Sequence, residues 1–114
     1  MVLGSMLSPE LRTHDTRHAA NESVHRTMNE RRENAAPRLA TSMRCECECF
    51  RAECGSSFEI TIADYEAVRA DGRHFVVIPG HESDDESIIS RTESYFVIEK
   101  TGEQGRMADS LDPR

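Results

Sequence analysis

A chain of 114 residues, 37% hydrophobic and 31% charged, has room for one small domain and is polar enough to leave part of itself outside a packed core. No apolar run approaches the roughly 20 residues that span a bilayer, and no basic stretch leads into an apolar one at the N-terminus, so a cytoplasmic chain without a membrane partner is expected. Residues 1–44 carry seven arginines against five acids, and residues 45–114 seven basic residues against sixteen acids; the acidic second half repels phosphate backbones, which disfavours nucleic acid there.

Along the chain, Ser8-Pro9-Glu10 offers a helix start with proline at the first helical position. Over residues 16–34 the apolar residues Ala20, Val24 and Met28 recur every four positions, a narrow stripe that predicts a loosely attached helix, a partner-binding helix, or one that forms on binding. Residues 35–41, with Pro37, read as a linker. Phe58-Glu59-Ile60-Thr61-Ile62 alternates apolar and polar as a half-buried strand does, and Thr61 three residues before Asp64 opens a short helix over 63–70 with Tyr65 and Val68 inward. His74-Phe75-Val76-Val77-Ile78 reads as a central strand ended by Pro79-Gly80, and 87–91 with 95–100 as a hairpin. All six Phe and Tyr residues lie from Phe50 onward. The expected fold is therefore α+β, a small antiparallel sheet with one short helix over 42–102, preceded by a tail, helix and linker over 1–41 and followed by a tail over 103–114.

The four cysteines fall within Cys45-Glu46-Cys47-Glu48-Cys49-Phe50-Arg51-Ala52-Glu53-Cys54. Cysteines two apart close a ring too tight for easy disulfide geometry, whereas a tetrahedral zinc ion takes thiolates two and five residues apart if the chain turns between them. One ligand set uses all four cysteines, but on an extended strand Cys45 and Cys49 stand roughly 13 Å apart, so the strand would have to fold back on itself. The other set uses Cys47, Cys49 and Cys54 with His81, just past Pro79-Gly80. His14, His18 and His25 lie at helical spacing but read as solvated, as do Asp84-Asp85-Glu86.

From Asn21 onward the chain resembles a group of short bacterial proteins, mostly actinobacterial. The matching features are Asn21-Glu22 with Arg26 and Asn29-Glu30; Cys47-Glu48-Cys49 and Cys54; Asp64-Tyr65-Glu66-Ala67-Val68-Arg69-Ala70-Asp71; Phe75-Val76-Val77 with Pro79-Gly80-His81-Glu82; and Tyr95-Phe96-Val97-Ile98-Glu99-Lys100. The group's pattern is three cysteines, C-x-C-x4-C, and a Pro-Gly-His-Glu. The resemblance implies a structural Zn2+ held by Cys47, Cys49, Cys54 and His81; Cys45 has no counterpart, and Phe50 stands where the pattern has glycine.

The functional expectation is a zinc-stabilised interaction or regulatory module with a protein partner, because a β-rich unit this small gains on the order of 10 kcal/mol of apparent binding free energy from the metal. The alternatives are a thiol redox or metal sensor with Cys45 as the spare thiol, and a small zinc hydrolase with Glu82 as base.

Overall fold

The structure is a computed structural model that describes residues 9–114, with side chains from residue 17 onward. Helix α1 runs Pro9–Ala35, beginning at the proline whose fixed φ suits a first helical turn. Ser8 and the side chain of His14 lie outside the described residues. The faces of α1 are the reverse of what its apolar stripe predicts. Val24 and Met28 are 58% and 38% exposed, while Ala19, Glu22, Ser23, His25, Arg26 and Asn29 are buried. These positions recur every three or four residues and so share one side of the helix.

Polar side chains can occupy that side because partners meet them. Arg26 donates to the carbonyls of Gly72 and Ala108, the latter at 2.9 Å, and its guanidinium lies 4.4 Å over the Phe75 ring. Lys100 Nζ stands 3.2 Å from Glu22 Oε1 and 2.7 Å from Glu86 Oε2, all three side chains being buried. Glu30 pairs with Arg69 and Arg114, and Glu33 with Arg114. The expected loose attachment of this helix is corrected here: charge-assisted hydrogen bonds, worth more than neutral ones, join it to both ends of the domain. Glu86, expected in solvent, is one of the buried anchors, while Asp84 and Asp85 are exposed.

After a turn at residues 36–41, strand β1 (Ser42–Glu46) pairs antiparallel with β2 (Ser57–Thr61), setting Met43 opposite Ile60 and Cys45 opposite Phe58. Helix α2 (Ile62–Arg69) starts as its capping residue predicts, with the Asp64 N–H donating to Thr61 Oγ1 at 3.0 Å and Tyr65 and Val68 buried. A second antiparallel sheet holds β3 (His74–Val77), β4 (Ser87–Arg91) and β5 (Phe96–Glu99) in the order β3-β5-β4. Its central strand is β5, not β3. β3 is nonetheless buried, because the cysteine segment runs along its other side, with the Glu48 N–H donating to the Val76 carbonyl at 2.7 Å. Residues after Gly102, expected as a tail, form helix α3 (Gly102–Ser110), with Gln104, Gly105 and Ala108 buried. A Cβ at Gly105 would come 2.8 Å from the Lys100 carbonyl, so glycine lets α3 sit close to the end of β5. The α+β class stands, with three helices in place of the expected two.

The core divides in two. Cys45 packs with Met43, Phe58, Ile60 and Tyr65 in one cluster, and Cys47 and Cys49 with Phe75, Val77 and Ile98 in the other. Among the described residues no helix is long and apolar enough to cross a membrane.

Arg38 is exposed in the turn between α1 and β1. Brief trypsin treatment is expected to cut there first, and the two fragments to co-elute under native conditions, since the buried contacts of α1 do not depend on that turn. Release of the α1 fragment on gel filtration would instead show weak docking.

Candidate metal centre

The β1–β2 ladder ends at the pair Glu46 and Ser57. Beyond it the chain turns, so Cys45 stays in the first cluster while Cys47 and Cys49 enter the second. The Cys47 N–H donates to the Ser56 carbonyl at 2.9 Å, and a turn from Arg51 to Cys54, closed at 3.2 Å, brings Cys54 back. The second loop follows β3. Gly80 there has φ +93°, a left-handed conformation that costs glycine little, and the His81 N–H closes the turn on the Ile78 carbonyl at 2.9 Å. The two loops meet: one ligand atom each from Cys47, Cys49, Cys54 and His81 lies within 4.8 Å of all the others, close enough to bind one metal ion.

The donor set and spacing fit zinc. His81 Nδ1 is 3.5 Å from both Cys47 Sγ and Cys54 Sγ. Zn–S and Zn–N bonds of about 2.3 and 2.0 Å at a tetrahedral angle give an S-to-N edge of about 3.5 Å, so these atoms already stand at ligand spacing. The Cys49 thiol is pulled down to about 5, first by the hydrogen bond from Cys47 and despite its burial, with help from the Arg51 backbone, Cys54 and His81. Cys47 is pushed up by that same bond and by burial, so one member of the pair is already inclined to be thiolate, the form a metal needs. The Ile78 N–H donates to Cys47 Sγ at 3.2 Å.

Helix α1 holds the cysteine loop from behind, a role the sequence reading missed. Asn21 Nδ2 donates to the Phe50 carbonyl at 2.8 Å and His25 Nδ1 lies 3.0 Å from the Cys49 carbonyl; a carbonyl only accepts, so Nδ1 carries the hydrogen. Asn29 brackets Glu46, accepting from its N–H at 2.8 Å and donating to its carbonyl at 2.9 Å. These three residues are four apart, one turn each. His25 is therefore buried and bonded, not solvated, and the His18 ring lies 4.4 Å from that of Phe50. Glu48, between two ligands, is fully buried and receives Asn29 Nδ2 and Tyr65 OH on one oxygen and the Val76 N–H on the other, at 2.9, 2.8 and 3.1 Å. Burial raises its carboxyl and the three donors oppose that rise.

The remaining proposed participants lie apart. Cys45 is fully buried in the other cluster. Glu82 accepts from the Gly80 N–H at 2.9 Å, which ties it to its own turn. A second trio, Asp71, His74 and Glu99, also gathers within 4.8 Å, with His74 Nε2 at 3.1 Å from Glu99 and 3.5 Å from Asp71. Compared with protein-family models, with curated proteins and with solved structures, the chain gives no significant match in any of the three.

Proposed function

We propose that this chain is a zinc-stabilised interaction module acting through a protein partner, in a cytoplasmic setting where its thiols stay reduced. The observation that carries the reading is the convergence of three sulfurs and one imidazole nitrogen from two separate loops. Four protein ligands complete a zinc tetrahedron and leave no position for a water, the mark of a structural rather than a catalytic ion. Bound there, zinc would tie the cysteine loop to the turn after β3 and supply folding free energy. The thiol-switch alternative needs a spare thiol at the centre, and Cys45 faces the other core. The hydrolase alternative needs an open coordination position for a water, and four protein ligands leave none.

Elemental analysis of protein purified with reductant and without chelator is expected to give one zinc per chain, and stripping with a strong chelator to abolish cooperative unfolding. A metal content near zero would remove the basis of the proposal.

A further inference from the structure

The outward face of α1 differs from the rest of this acidic chain. Arg17, Val24 and Arg31 are seven residues apart and fall in one line, all exposed. Ala20, Val24, Thr27, Met28 and Arg31 border a shallow groove closed on one side by Leu111, just after α3. The described acids of α1 point elsewhere: Glu22 to Lys100, Glu30 to Arg69 and Arg114, Glu33 to Arg114. Among the described residues, Arg17 and Arg31 have no acid within ion-pair distance. An apolar strip bracketed by two cations that no described acid neutralises is thus left on a chain whose net charge is −7.

We propose that this face is a docking seam for an acidic amphipathic helix of a protein partner, whose apolar side chains seat on Val24 and Met28 and whose carboxylates meet Arg17 and Arg31. The proposal rests on the interaction-module reading and specifies its partner. The two arginines stand fourteen positions apart on the helix, so the partner's acids must stand about 21 Å apart, two heptads along one face. A second copy fits poorly: with the two Val24 side chains facing, α1 against α1 sets arginine on arginine in either direction. Nucleic acids and anionic membranes meet the same two cations but also the repulsion of the surplus acids. A helical protein segment presents its carboxylates locally, and the apolar strip between the cations gives it a seat.

The test uses the zinc-loaded full chain and two fluorescent synthetic helical peptides with the same Leu/Ala seam, one bearing Glu and the other Lys at the positions facing Arg17 and Arg31. The Glu peptide is expected to bind about tenfold more tightly, the difference between two exposed ion pairs and two like-charge contacts. Arg17→Glu with Arg31→Glu should invert the preference, and Val24→Ser with Met28→Ser should weaken both peptides. All four positions face outward, and metal content and circular dichroism are measured on the same samples. A metal-free protein overturns the zinc reading whatever the peptides do; a zinc-loaded protein indifferent to peptide charge, or unchanged by charge reversal, overturns the seam alone. A dimer dissolved by Val24→Ser with Met28→Ser would assign the face to a second copy, and binding to phosphatidylserine vesicles in place of peptide would assign it to a membrane; either overturns the proposal.

Discussion

Cys49→Ser and His81→Ala are each expected to lose the metal and cooperative unfolding, while Cys45→Ala keeps both. Removing one ligand of four opens the tetrahedron, and a structural zinc contributes apparent binding free energy of about 10–16 kcal/mol, comparable with the whole stability of a small domain. Cys45 contributes packing in the other cluster, where it is fully buried, and a weak S–H hydrogen bond to the Glu46 carbonyl at 3.6 Å, so its truncation costs about 1 kcal/mol. Alanine is the informative replacement there, since serine would bury a hydroxyl among Met43, Phe58 and Ile60. His81→Cys should restore metal binding, because zinc accepts four thiolates. Metal content and thermal unfolding of the four variants decide the assignment. Full zinc and stability in His81→Ala would remove His81 from the ligand set.

Lys100→Met is expected to destabilise the chain by about 3–5 kcal/mol, because it leaves the buried Glu86 carboxylate, with the Glu22 carboxyl beside it, without its cation. Lys100 joins Glu22 of α1 to Glu86 before β4, so this loss also loosens the helix. Glu22→Gln behaves differently. Burial first, then the hydrogen bond to Glu86 and that group's charge, raise the Glu22 carboxyl far above its ordinary 4.5, with Lys100 pulling the other way. A raised carboxyl favours the protonated form in the fold, so its contribution is full below the unfolded value and is lost progressively as pH rises above it. Glutamine is neutral at every pH. Its variant should therefore gain stability relative to the parent between about pH 5 and about pH 9. Urea unfolding of the zinc-loaded proteins measures both effects; a parallel pH dependence for parent and Glu22→Gln would show that Glu22 is ionised in the fold.

Local signals in the sequence were legible wherever burial is apolar and one-sided. Phe58 and Ile60 alternate with exposed Glu59 and Thr61 as a half-buried strand requires, and Thr61 caps α2. Cys47, Cys49 and Cys54 stood out as a dense thiol cluster, whereas His81 joined them only through its place after Pro79-Gly80 and the resemblance; the structure brings the four ligand atoms together, and the end of the β1–β2 ladder explains why Cys45 parts from them. The orientation of α1 could not be read from apolar periodicity. Its inner face consists of groups chosen for the carbonyls, carboxylates and ring they meet, and those partners lie far away in sequence. Amides and an imidazole one turn apart, Asn21, His25 and Asn29, were the available hint. The position of β3 was missed because Phe75-Val76-Val77 owes its burial partly to the cysteine loop, and α3 because only Ala108 among its buried residues is apolar.

The inside-out construction of α1 bears on what happens if the helix comes loose. An ordinary amphipathic helix that comes loose bares a greasy stripe and invites clumping. The inner face of α1 would instead offer water Glu22, Ser23, His25, Arg26 and Asn29, groups that hydrate readily. Such a face would limit clumping during that opening. Rebinding is selective as well, since sliding the helix by one residue would leave its buried charges facing no counterion, so the partly opened chain has one low-cost way back.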